Sequence, residues 1–127
     1  MSVNYFFFSK ISIRYHDNFC FKIFSDKPIV KIGQSSYSVN YGNQVTLTCT
    51  VTAQPLHTIV YWRKIQGGQQ TTIDMTLSKY SGSTVTSPSL TITNADMTDE
   101  TFYICYAQNV VGTGQSSQTY LDVLGSK

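Results

Sequence analysis

Cys49 and Cys105 stand 56 positions apart, Trp62 follows the first by 13, and Tyr103 precedes the second by two. All four lie in stretches whose side chains alternate in character. In "VTLTCTVT" (45–52), Val45, Leu47, Cys49 and Val51 fall on one face and four threonines on the other. Period-two alternation with one apolar face marks a half-buried antiparallel strand. "TIVYWRK" (58–64) puts Val60 and Trp62 on one side and Ile59, Tyr61 and Arg63 on the other. "FYICYAQ" (102–108) puts Tyr103 and Cys105 together, with Phe102, Ile104 and Tyr106 opposite. Both thiols and the indole therefore belong to inward faces.

Further strands are expected at "SLTIT" (89–93), with Leu90 and Ile92 inward, and at "QTYLDV" (118–123), with Leu121 and Val123 inward. "PIVKI" (28–32) and "YSV" (37–39) read as weaker early strands, and "TTIDMTL" (71–77) as one or two edge strands. Turn-forming residues separate them at 41–43, 67–68, 81–83, 94–98 and 112–114. No helical period competes. Short strands at this density predict an all-β, two-sheet antiparallel sandwich.

The chain has 127 residues, enough for one core. Its composition shifts near Lys27. Six of the seven Phe lie in residues 1–24, and Phe, Tyr, Ile, Asn and Lys supply 16 of the first 27 residues. The apolar run Tyr5–Phe8 is too short for a secretory h-region, which needs roughly 7 to 15 residues. Residues 1–27 are therefore expected to lie outside the domain, as a disordered extension or a gene-model artefact with AT-rich codons. Cys20 falls within them and has no obvious partner. The domain is expected over 28–124, with 125–127 a tail.

From residue 28 onward the sequence resembles the immunoglobulin superfamily, and its I-set in particular. "LTITNADMTDETFYIC" (90–105) is similar to the family's segment from strand E to strand F, with Leu90, Asp99, Tyr103 and Cys105 in their places. "AQNVVG" (107–112) resembles the turn between its last two strands, and "YGNQVTLTC" (41–49) the approach to its first cysteine. The resemblance implies a Greek-key sandwich with a single inter-sheet disulfide, Cys49 to Cys105, packed against Trp62. It also implies that Tyr103 sends its hydroxyl back to the turn before its own strand. A bridge of this kind persists in oxidising compartments. The alternative is a pair of reduced thiols, as in the intracellular repeats of muscle proteins.

Chemistry is hard to place. Three cysteines without a C-x-x-C and two isolated histidines offer too few ligands for zinc. No nucleophile motif accompanies His16 or His57. Asp96, Asp99 and Glu100 could in principle hold calcium, but Asp99 is better read as a partner for local backbone or for a base such as Lys79. Gly112 and Gly114 mark a hairpin, since no helix follows to make a phosphate loop. No catalytic residue, metal or cofactor is assigned.

Net charge is +2, all of it from residues 1–27, which gives no reason to expect nucleic acid. No apolar run reaches the 18 residues of a membrane span. Binding remains. If Trp62, Tyr103 and Cys105 face inward, then Tyr61, Arg63, Ile104 and Tyr106 form an outward strip of residue types enriched at interface cores. No N-x-Ser/Thr acceptor occurs to shield it with a glycan. The expected function is a non-catalytic, extracellular or cell-surface module for protein binding or adhesion, homophilic or heterophilic, beside further immunoglobulin-like domains. The alternative is a mechanical spacer of the muscle type.

Overall fold

Alternation becomes architecture because each strand has one face to bury. The computed structural model describes the backbone of residues 4–8, 11–16 and 19–125 and the side chains of residues 25–125. Strands β1 (Asn4–Phe8), β2 (Ile11–His16) and β3 (Phe19–Phe24) form an antiparallel meander. Aromatic and β-branched residues dominate these segments, which suits extended backbone. The meander shares no ladder with the described strands that follow.

Those strands are β4 (Ile29–Ile32), β5 (Ser36–Asn40), β6 (Val45–Leu47), β7 (Cys49–Thr52), β8 (Ile59–Gln66), β9 (Gln69–Thr72), β10 (Tyr80–Gly82), β11 (Leu90–Ile92), β12 (Phe102–Gln108), β13 (Thr113–Gln115) and β14 (Thr119–Leu124). One layer runs β5-β14-β12-β8-β9, with β13 also on β12. The other consists of β10-β11-β6 and the pair β4-β7. Every ladder is antiparallel except β5 on β14. This is the two-sheet sandwich that the strand pattern predicted, in the immunoglobulin-like form that the resemblance implied.

The stretch 45–52 is not one uninterrupted strand. At Thr48 the backbone N–H donates to the Tyr37 hydroxyl at 3.0 Å, and at Cys49 it donates to the Ser89 hydroxyl at 3.0 Å. The chain leaves its partner β11 there and takes up β4. Short β10 and β13 were not expected; each lies where turn residues crowd the sequence. Gly114 in β13 permits a close approach, since a Cβ there would lie 1.9 Å from the Pro28 carbonyl oxygen.

Between the layers lie Leu47, Cys49, Trp62, Leu90, Ile92, Tyr103, Cys105, Leu121 and Val123, all buried. Cys49 and Cys105 are joined across the centre, with Cα atoms 6.5 Å apart. The Trp62 indole N–H donates to the Pro88 carbonyl at 2.8 Å, so its one polar atom is satisfied inside the core. Asp26 already belongs to the network of this domain. Its N–H donates to the Gln54 carbonyl, and its carbonyl accepts from the Asn109 side chain at 2.7 Å.

Candidate recognition face

The hairpin between β8 and β9 sets the geometry of the outer face. Gly67 and Gly68 both take positive φ, 57° and 81°, as a two-residue turn with the twist of its flanking strands requires. Gln66 then lies opposite Gln69, and Arg63 opposite Thr72. On its other side β8 pairs with β12, which places Tyr61 opposite Tyr106, Trp62 opposite Cys105 and Arg63 opposite Ile104. Trp62 and Cys105 go inward; Tyr61, Arg63, Ile104 and Tyr106 are brought together on the outward face.

There the Tyr61 and Tyr106 rings stack, with centroids 4.9 Å apart and planes 2° from parallel. The Arg63 guanidinium carbon lies 5.5 Å from the first centroid and 5.2 Å from the second. Stacked rings and a cation over their faces each contribute about 1 kcal/mol at such a site. Arg63 Nε donates to Thr72 Oγ1 at 3.2 Å, and the Tyr106 hydroxyl donates to Gln70 Oε1 at 2.5 Å. Five side chains from three strands thus hold one another in place.

Pointing outward is not the same as being accessible. Ile104 is only 2% exposed and Tyr106 6%, whereas Tyr61 and Arg63 are half-buried. Tyr106 lies against Tyr61 and Arg63 and is tied to Gln70, so it acts as the floor of the face. The accessible part is Tyr61 and Arg63, flanked by Gln70 and Thr72. Phe102, 41% exposed, lies on the same face of β12, edge-on to Tyr120 at 4.9 Å. Gln70 and Thr72 were missed in the sequence, although the Gly67-Gly68 turn was a signal for them: it fixes which residue stands opposite Arg63.

The acidic turn is structural in its contacts. A single 3₁₀ turn, Met97–Asp99, is capped by Asp96, whose side chain accepts from Thr98 N at 2.8 Å, while Asp96 N donates to Asp99 Oδ2 at 2.9 Å. Asp99 is fully buried, and Lys79 Nζ lies 2.8 Å from its Oδ2 and 3.5 Å from Asp96 Oδ2. Lys79 also donates to the Asn94 carbonyl. Burial by itself would lower the Lys79 ammonium, but its hydrogen bond to Asp99 and the charges of Asp99 and Asp96 outweigh that, and it titrates above the usual lysine range. The hydrogen bond from Thr98 is the largest cause holding Asp96 below the usual carboxylate range. The place a cation would take beside Asp96 and Asp99 is held by this ammonium. Glu100 turns elsewhere and accepts from Val123 N at 2.9 Å.

Above that turn the Tyr103 hydroxyl donates to the Asp99 carbonyl at 2.7 Å. Burial, with the nearby Asp99 carboxylate, pushes the Tyr103 phenol far above its ordinary value. Leu90, fully buried, pairs with Leu47 across β11 and β6. His57 Nε2 contacts the Val85 carbonyl at 2.9 Å. Cys20 lies in β3, where only backbone is described. Among the described residues no helix is long and apolar enough to cross a membrane.

A family model described as the immunoglobulin domain matches residues 27–109. The solved structure of the tandem Ig repeats of Dlar is similar to this chain with a TM-score of 0.62 and 24% identity, over 89% of this chain and 60% of that one. The present chain thus spans less than two thirds of that structure, and at such identity the likeness concerns the fold. No curated protein matches.

Proposed function

This chain belongs to the immunoglobulin domain family, and from that premise we propose that it is a non-catalytic, extracellular module for protein recognition or adhesion, one unit of a larger multi-domain protein. The observation that carries this reading is the Arg63 guanidinium spread over the Tyr61–Tyr106 stack. Arginine and tyrosine are the residue types that most often dominate binding energy, and side chains already held in place lose little freedom on binding. The Cys49–Cys105 bridge supports an oxidising compartment and speaks against the intracellular spacer. Interior polar groups engaged with backbone, such as Tyr103 and Trp62, support a structural rather than catalytic role for the core.

Beads coated with the folded chain test the reading, scored for clustering with one another and for capture by intact cells. Arg63→Glu and Tyr61→Ala, each with an unchanged circular dichroism spectrum, should weaken binding roughly tenfold or more, the scale of a hot-spot loss. Binding unchanged in both variants would overturn the assignment to this face. Alkylation of intact cells with a membrane-impermeant thiol reagent, before and after reduction, tests the compartment. Reactive Cys49 and Cys105 without reduction would favour the spacer.

A further inference from the structure

β9 ends the larger sheet, and its outer edge pairs with none of the described strands. Its inner edge reveals which backbone groups are free. Ile73 N donates to the Trp62 carbonyl at 2.9 Å, so residues 62 and 73 are a hydrogen-bonded pair of the antiparallel ladder. Such pairs recur at every second residue. Lys64 with Thr71 and Gln66 with Gln69 therefore bond inward. The N–H and C=O groups of Gln70 and Thr72 point the other way, into the open.

Natural edges are usually blunted by charge, proline or irregular backbone. Two other edges of this domain follow that rule, although β5 at the far end of the same sheet, Ser-Tyr-Ser-Val-Asn, has neither charge nor proline. β10 runs into Gly82 and Ser83, both at positive φ (83° and 56°), and β4 follows Pro28 and contains Lys31. β9 reads Gln-Gln-Thr-Thr, all exposed, with neither charge nor proline. Its outward side chains are already engaged: Gln70 holds the Tyr106 hydroxyl and Thr72 holds Arg63 Nε. They are drawn toward the centre of the sheet, away from the edge.

We infer that the β9 edge pairs with β9 of a second copy of this chain, antiparallel, about a two-fold axis through Thr71. The edge is its own complement. Gln70 of one copy faces Thr72 of the other, and the two pairs exchange four backbone hydrogen bonds. Thr71 meets Thr71 at the centre as a non-hydrogen-bonded pair, the closest kind for side chains. No like charges oppose one another along the ladder. Four residues a side make a small contact, below the roughly 1,200 Å² of stable complexes, so the dimer is weak and depends on concentration. The two aromatic faces become one continuous surface.

Sedimentation equilibrium of the full chain in a Cys20→Ser background, where no third thiol can cross-link, tests this. The average mass should rise from 14.2 kDa toward twice that with concentration. Amide exchange at Gln70 and Thr72 should slow over the same range. Thr71→Lys places like charges face to face at the axis and should hold the chain monomeric, as should Thr71→Glu; an equimolar mixture of the two should associate again. A mass that stays monomeric at every concentration, or association that Thr71→Lys leaves unchanged, overturns the inference. Thr71 makes no contact with the Tyr61–Arg63 pair among the hydrogen bonds and ring contacts described, so loss of self-association and loss of partner binding are read separately.

Discussion

The backbone N–H of Cys105 donates to the side-chain oxygen of Ser116 at 3.0 Å. The same device serves its disulfide partner, where Cys49 N donates to Ser89 Oγ at the same distance. Each half of the bridge sits where its strand has no backbone acceptor for that N–H, and a serine hydroxyl supplies one. Ser116 is itself buried and passes its own proton to the Ser117 carbonyl at 2.8 Å. Ser116→Ala should therefore leave a buried donor without a partner and lower stability by about 1–3 kcal/mol. The measurement is the urea midpoint, with the slope unchanged.

Removing the bridge should cost more. A closed loop of 56 residues is worth about 4 kcal/mol in the chain-entropy treatment. The double change Cys49→Ala, Cys105→Ala should lower stability by about that amount. Urea unfolding of the oxidised wild type against the double variant reads it directly.

Lys79→Met should destabilise by about 3 kcal/mol, because Asp99 would keep a fully buried carboxylate without its ammonium. A further change, Asp99→Asn, made in that background should recover part of the loss. An additive penalty from the two changes would show that the pair contributes nothing beyond its separate hydrogen bonds.

The domain should weaken in alkali, chiefly through Lys79 and Tyr103. Lys79 and Tyr103 both titrate higher in the folded state than their ordinary values of 10.5 and 10.0. A raised folded value means stability that is fully present below the unfolded value and lost as pH climbs through the folded one. Stability should thus be flat to about pH 9 with respect to these groups and fall above pH 10. Tyr103→Phe should remove the Tyr103 share of that slope, leaving the smaller share of Tyr80, which burial also raises, and cost about 1 kcal/mol at pH 7 for the bond to the Asp99 carbonyl. Chemical unfolding from pH 7 to pH 11 separates the two effects.

A chain beginning at Pro28 should be less stable than one beginning at Ser25. The shorter form loses the Asp26 carbonyl that accepts from the buried Asn109 side chain. The difference should be about 1–2 kcal/mol. Equal urea midpoints would show that water replaces Asp26 without penalty.

Local alternation was enough to place Leu47, Cys49, Trp62, Leu90, Tyr103 and Cys105 in the interior, because a strand has only two faces and one wrong step would expose every apolar side chain it carries. The density of short alternating strands carried the sandwich, because each has one face to bury against a second layer, and the pairing of Cys49 with Cys105 against Trp62 came from the resemblance to immunoglobulin domains. Accessibility on the outer face was not legible in this way. Ile104 and Tyr106 point outward as their parity requires, yet both are buried, Tyr106 against the Tyr61 ring, the Arg63 guanidinium and the Gln70 side chain supplied by the next strand. Nor could parity disclose that Ser89 and Ser116 serve the two cysteines, that strand 45–52 breaks at Thr48, or that Asp26 is tied to Asn109. Those facts depend on which distant backbone atoms come within about 3 Å, and periodicity along a chain holds no information about that distance.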